Sequence, residues 1–269
     1  MKPAGSGPSP EIPKNRFWSW MAVGVLGVFW LVLQFSLRDK GPAFDEVPQA
    51  TAGYTYWKFN DYRIDPPNGN WPKRLMALAL AGTSLPSPTE AVWREADAWA
   101  LGDAWFNRSG LDLDRVLVRG HAVMGVVAAI LGALVWWDAR RRFGDYAAMV
   151  ALLGFVASPT VLANGALMTS DLMAALCFFF ATLAIEAVLR RVNWWTLLAS
   201  SLGVAALFLS KMSAPLIVPV AAVLVAARLW SGQPLPLEIA RSRTIHSRSR
   251  QAAVFEGFAE DKAVIKAAM

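Results

Sequence analysis

Hydrophobic positions in this chain gather into long blocks instead of alternating with polar ones. The block at residues 17–37 is nearly free of charge. At about 1.5 Å per residue it is long enough to cross a hydrocarbon core of about 30 Å. Further apolar blocks fall at residues 116–137, 146–163, 172–189, 194–209 and 214–229. Blocks with uncharged centres read as membrane helices, because a helix satisfies its own backbone hydrogen bonds where no water is present. The pattern predicts an all-α fold, a multi-pass transmembrane helical bundle of about six spans. The first block reads as an uncleaved anchor, since no small-x-small cleavage site follows it.

Residues 38–115 differ in kind. They are rich in Pro, Gly, Asp and Trp, with nearly balanced charge. Segments 73–81 and 89–105 carry helical patterning, with Trp93, Ala96, Ala100 and Ala104 recurring at helical spacing. Amphipathic helices are predicted here, lying on the membrane surface or forming a small soluble cap. Residues 1–16, rich in Pro, Gly and Ser, predict a disordered tail. Residues 17–230 hold the bundle, and 231–269 form a basic tail with an Arg/Ser-rich stretch from Arg241 to Arg250. That stretch is expected to sit at anionic lipid.

Charge then sets an orientation. Lys14 and Arg16 precede the first block, Arg140, Arg141 and Arg142 follow the second, and Arg190 and Arg191 follow the fourth. Arg228 and the Arg241–Arg250 stretch accompany and follow the last. With six spans all these clusters share one side. The positive-inside rule predicts cytoplasmic termini in an inner or plasma membrane. The large loop, the turn at 164–171 and the turn at Lys211 then face outward. Composition agrees: 55% of the residues are hydrophobic and 17% charged, against about 25% charged in a soluble domain. The net charge of +6 sits beside apolar blocks rather than among exposed aromatics. Membrane lipid is therefore the expected partner and nucleic acid is not. The single Cys177 forbids an intrachain disulfide. Gly125, Gly132, Gly154 and Gly203 suit close helix packing.

The residues able to carry chemistry lie on the outward side. They are the adjacent acids Asp45 and Glu46, then Asp171, then Lys73 beside Arg74, and Arg119 with His121. Charge at a membrane boundary is costly enough to mark function. Plainer roles exist for each. Asp45 and Asp171 could cap helices, and Arg119 could snorkel to the interface.

A resemblance weighs between these roles. The run Phe44-Asp45-Glu46-Val47-Pro48-Gln49-Ala50-Thr51-Ala52-Gly53-Tyr54, with the Pro-rich turn from Asp65 to Lys73, resembles the first outer loop of the GT-C superfamily of lipid-carrier-dependent glycosyltransferases. Protein O-mannosyltransferases and aminoarabinose transferases of lipid A belong to that superfamily. Arg119 through Arg140-Arg141-Arg142-Phe143-Gly144 is a second similar segment. Ala157-Ser158-Pro159 through Met168-Thr169-Ser170-Asp171 is a third. The resemblance implies a polyprenyl-phosphate sugar as donor and a lipid, glycan or protein as acceptor. It implies Asp45 as general base with inversion, Glu46 as its support, and Asp171 orienting the acceptor or a divalent cation. Lys73 and Arg119 would bind the donor phosphate.

There are departures. Gln49 stands where many members have His, and Pro72 precedes Lys73 where the aminoarabinose enzymes carry an acidic metal ligand. The histidines are His121 and His246, the latter expected on the cytoplasmic side, so no metal site is assigned. Family members usually continue with further spans and a soluble outer domain. The resemblance therefore covers an N-terminal catalytic half, which implies either a truncated product or a chain that works with a C-terminal partner half. A non-catalytic membrane subunit of the same ancestry is the alternative. A transporter component would need polar residues deep inside several spans, and the centres here are apolar.

Overall fold

The computed structural model describes residues 16–232, apart from 39, 67 and 88. The two predicted tails, including His246 and the Arg/Ser stretch, lie outside the described residues almost entirely. Among the described residues there is no β-strand, only an isolated bridge between Asn68 and Lys211. The protein is an all-helical membrane protein.

In chain order the helices are α1 (Arg16–Leu37), α2 (Glu46–Lys58), α3 (Asn70–Met76, continued by a 3-10 turn at Ala77–Leu80), α4 (Glu90–Glu95), α5 (Ala98–Phe106) and α6 (Leu113–Phe143). Then follow α7 (Asp145–Val156), α8 (Pro159–Asn164), α9 (Ser170–Arg190), α10 (Trp194–Phe208) and α11 (Ile217–Trp230). Of these, α1, α6 and α9 are long and apolar enough to cross a membrane, while α7, α10 and α11 are apolar but shorter.

Two predicted elements divide. The apolar block 146–163 breaks because Pro159 has no N–H for the helical ladder and disfavours helical backbone at the residue before it. Ser158 is accordingly extended, at φ −64° and ψ 122°. The predicted helix 89–105 breaks at Ala96, whose φ is 53°. Asp97 then starts α5 by accepting hydrogen bonds from the backbone N–H groups of Trp99 and Ala100, at 2.8 and 3.1 Å. Conversely, α6 outruns its predicted block, from its cap at Asp112 to Gly144 at φ 88°.

The chain forms two compact units. Among the described residues the smaller one, 181–203 with 217–232, contains the ion pair of Arg190 with Glu186 at 2.6 Å. It also contains the start of α10, where Asn193 and Thr196 each accept the other's backbone N–H.

The larger unit, 16–180 with 204–216 among the described residues, carries the site. Helices α1 and α6 run antiparallel. At one end Arg140 donates to Ser19 Oγ at 2.8 Å. At the other, Trp30 donates to the Ala122 carbonyl and Gln34 to the His121 carbonyl, at 3.1 and 3.2 Å. Between them Phe29 and Leu33 pack with Ala128, Leu131, Ala166 and Leu172. Lipid tails are as apolar as these side chains, so fit and interhelical hydrogen bonds hold the pair. Gly125 and Gly132 allow the approach: an added Cβ would meet Gln34 at 2.7 Å and Leu26 at 2.9 Å. The Arg140 end is rimmed by Arg140 over Trp136 and Arg141 over Trp137, as at a membrane interface.

The loop between α1 and α6 is built around α2. Ten of its thirteen residues are buried, so it is the central post of the loop. Its neighbour α3 passes so close to Gly53 that a Cβ there would lie 2.0 Å from the Lys73 carbonyl oxygen. Replacing Gly53→Ala is expected to destabilise the loop by about 1–3 kcal/mol through overpacking. The check is a lower melting temperature for the detergent-purified variant.

Candidate functional site

The adjacent acids at the start of α2 diverge, because successive residues on a helix point about 100° apart. Asp45 occupies the N-cap position but is in helical backbone conformation, and its side chain makes no capping hydrogen bond. It is exposed. Glu46 is wholly buried. Its Oε1 accepts from the Met168 backbone N–H and from His121 Nε2, both at 2.8 Å, and its Oε2 accepts from the Ala43 N–H at 2.7 Å. An ionised carboxylate can only accept, so Nε2 of His121 carries the proton. Burial raises the Glu46 pKa, yet the bonds from His121, Met168 and Ala43 outweigh it and hold the group below its ordinary range.

This one carboxylate ties together three segments distant in sequence: the loop after α1, the N-terminal part of α6, and the turn before α9. The contact is tight. Gly120, beside His121, lies against Met168, where a Cβ would come within 2.0 Å of the sulfur. Gln49 Oε1 and Thr169 Oγ1, one on each partner segment, are buried without a hydrogen-bond partner. Polar capacity therefore remains at the junction.

Asp171 opens α9 three residues beyond Met168 and forms an ion pair with Lys211. Both are partly exposed, at 54% and 33%. The Lys211 turn is docked in turn on the loop, through the Trp71 N–H to the Leu209 carbonyl at 3.2 Å and the Asn68–Lys211 bridge. A cleft of about 350 Å³ opens here, lined by Tyr62, Asn68, Asn70, Lys211 and Met212 among others.

Lys73 is placed otherwise than the sequence suggested. It is wholly buried. Its Nζ donates to the carbonyls of Asp65 and Asn68 and to Tyr56 Oη, and pairs with the Asp65 carboxylate at 2.9 Å. Burial lowers its pKa and Asp65 partly restores it. The ammonium is thus turned into the loop, holding the Pro-rich turn closed. Arg119 is exposed on α6 and forms no ion pair among the described residues.

The structure therefore brings Asp45, Glu46, Arg119 and Asp171 to one end of the helices. In the sequence His121 stands out without a role, and nothing marks Lys211 as the partner of Asp171. The available signal was a titratable ring, two residues from Arg119, near the end of an apolar block. Among the described residues no three His, Cys, Asp or Glu side chains group as metal ligands.

The fold and site define an all-helical membrane protein whose large polar loop is locked onto helix ends, with acids exposed beside the lock. The family model described as dolichyl-phosphate-mannose-protein mannosyltransferase matches residues 102–240, just over half of the chain, and the chain belongs to that family. No curated protein and no solved structure matches. The matched segment includes Arg119, His121, Asp171 and Lys211, while Asp45, Glu46 and Lys73 precede it.

The Glu46 lock has a pH signature. A carboxylate with a depressed folded-state pKa contributes stability that is fully present above its ordinary value and is lost as pH falls through the depressed one. Acid unfolding should therefore steepen below the ordinary carboxylate range. In Glu46→Gln that component should vanish, leaving a less stable protein with a flatter profile in melting curves recorded against pH.

Proposed function

We propose that this protein transfers a sugar from a polyprenyl phosphate to an acceptor hydroxyl on the extracytoplasmic face of the cell membrane, with Asp45 as general base. The observation that carries the reading is the exposed Asp45 carboxylate on a helix end fixed by its buried neighbour, in a chain of this glycosyltransferase family. Asp45 takes the acceptor hydroxyl proton as the oxygen attacks the anomeric carbon. The bond from that carbon to the phosphate oxygen breaks, inverting the centre, and the polyprenyl phosphate leaves with both bonding electrons. The oxocarbenium-like transition state gains from the nearby negative charge. Glu46 keeps Asp45 in position. Asp171, held by Lys211, orients the acceptor. Arg119 is the exposed cation for the leaving phosphate, whereas Lys73 contributes by keeping the loop closed. The acceptor is a lipid, glycan or protein.

Asp45→Asn should lower sugar transfer from a polyprenyl-phosphate donor in purified membranes by about 10²–10⁴-fold, the usual worth of a general base. Undiminished transfer would remove Asp45 from the mechanism. Arg119→Gln should instead raise the KM for the donor, with a smaller change for the acceptor. A second reading, a non-catalytic subunit of the same ancestry, draws on the family match beginning after Asp45 and Glu46. It predicts that the chain binds the donor without turnover.

A further inference from the structure

We infer that His121 is a positioning residue, a latch that sets the distance between the working acid on α2 and the acid on α9. The inference rests on the proposed glycosyl transfer for its catalytic consequence, but the latch itself stands on geometry. His121 is 3% exposed and Glu46 is 0% exposed, although each could ionise. Two such groups settle in a low-dielectric junction only when each satisfies the other. Here the imidazole supplies the one side-chain donor to the carboxylate, and the remaining donors are backbone N–H groups of Met168 and Ala43.

The three donors come from separate segments. Ala43 precedes Asp45 by two residues, and Met168 precedes Asp171 by three. Oε1 is shared between His121 and Met168, so the imidazole and the turn before α9 meet at a single oxygen. Rotation of the carboxylate would release the Met168 N–H and the Ala43 N–H together. His121 opposes that rotation. The imidazole is itself fixed, because its residue lies within α6, its own carbonyl accepts from Gln34 of α1, and Gly120 beside it is pressed onto Met168. The acid pair is thereby referenced to the two membrane helices α1 and α6 rather than to the loop.

His121 does not reach the reacting atoms, so its loss should slow chemistry without weakening donor binding. A displacement of about 1 Å in a catalytic group costs up to about a hundredfold in rate. The test compares His121→Leu, which removes the donor, with His121→Gln, which keeps an N–H, in full-length detergent-purified protein. Hydrogen exchange is followed in peptides covering 41–49 and 165–172, alongside transfer kinetics. We expect His121→Leu to exchange the Ala43 and Met168 amides at least about tenfold faster, and to lose about ten- to a hundredfold in kcat at nearly constant donor KM. His121→Gln should recover most of both. If His121→Leu does not accumulate, Glu46→Gln combined with His121→Leu leaves no buried charge and is compared with Glu46→Gln alone, because the single amide oxygen of Gln already releases one of the two backbone N–H groups. Unchanged exchange in the Leu variant, a Gln variant no better than Leu, or freed amides with unchanged kcat would each overturn the inference. If the wild-type chain transfers no sugar, that result counts against the glycosyltransferase reading, and the exchange data alone decide the latch.

Discussion

A single buried carboxylate organises the larger unit. Glu46 has no contact with solvent and three donors, and each donor belongs to a different stretch of chain. Removing any one would leave charge uncompensated where compensation is worth several kcal/mol. The loop between α1 and α6 is therefore not draped over the helix ends but bolted to them. Everything proposed for Asp45 follows from this: a base must be held still, and the residue next to it does the holding.

The buried ammonium of Lys73 plays a parallel part inside the loop. It gathers the carbonyls of Asp65 and Asn68 and the Tyr56 hydroxyl around one charge. The turn it closes is the one that docks on Leu209 and Lys211. Two interior charges, one of each sign, thus bring three short segments to the same end of the bundle with no sheet and no disulfide among the described residues.

Much of this was legible in the sequence. Block hydropathy gave the helical membrane class, and the basic clusters implied that the large loop, the 164–171 turn and the Lys211 turn share an end, as the Met168 and Leu209 contacts require. Asp45, Glu46 and Asp171 were legible as a group only through resemblance. What could not be read was which way each charge points. Glu46 and Asp45 are neighbours with opposite exposures, and that division depends on partners 75 and 122 residues away. Lys73 looks, in sequence, like any cation beside a turn. The break at Ala96 depends on Asp97 capping α5, a local competition that the alanine spacing conceals.

The interruption at Pro159 has a consequence for the surrounding lipid. Helix α7 begins at the Arg140 end and stops after 12 residues, roughly 18 Å of rise, beside a neighbour in α6 that runs 31 residues. A step of that size in the hydrocarbon-facing profile obliges the bilayer to thin locally or the broken backbone to be shielded by protein. An apolar groove between α1, α7 and α8, walled by Gly24, Val28, Leu153 and Leu162, lies at that step. Met in either way, that demand falls on the half of the bundle that leads to Asp45 and Asp171.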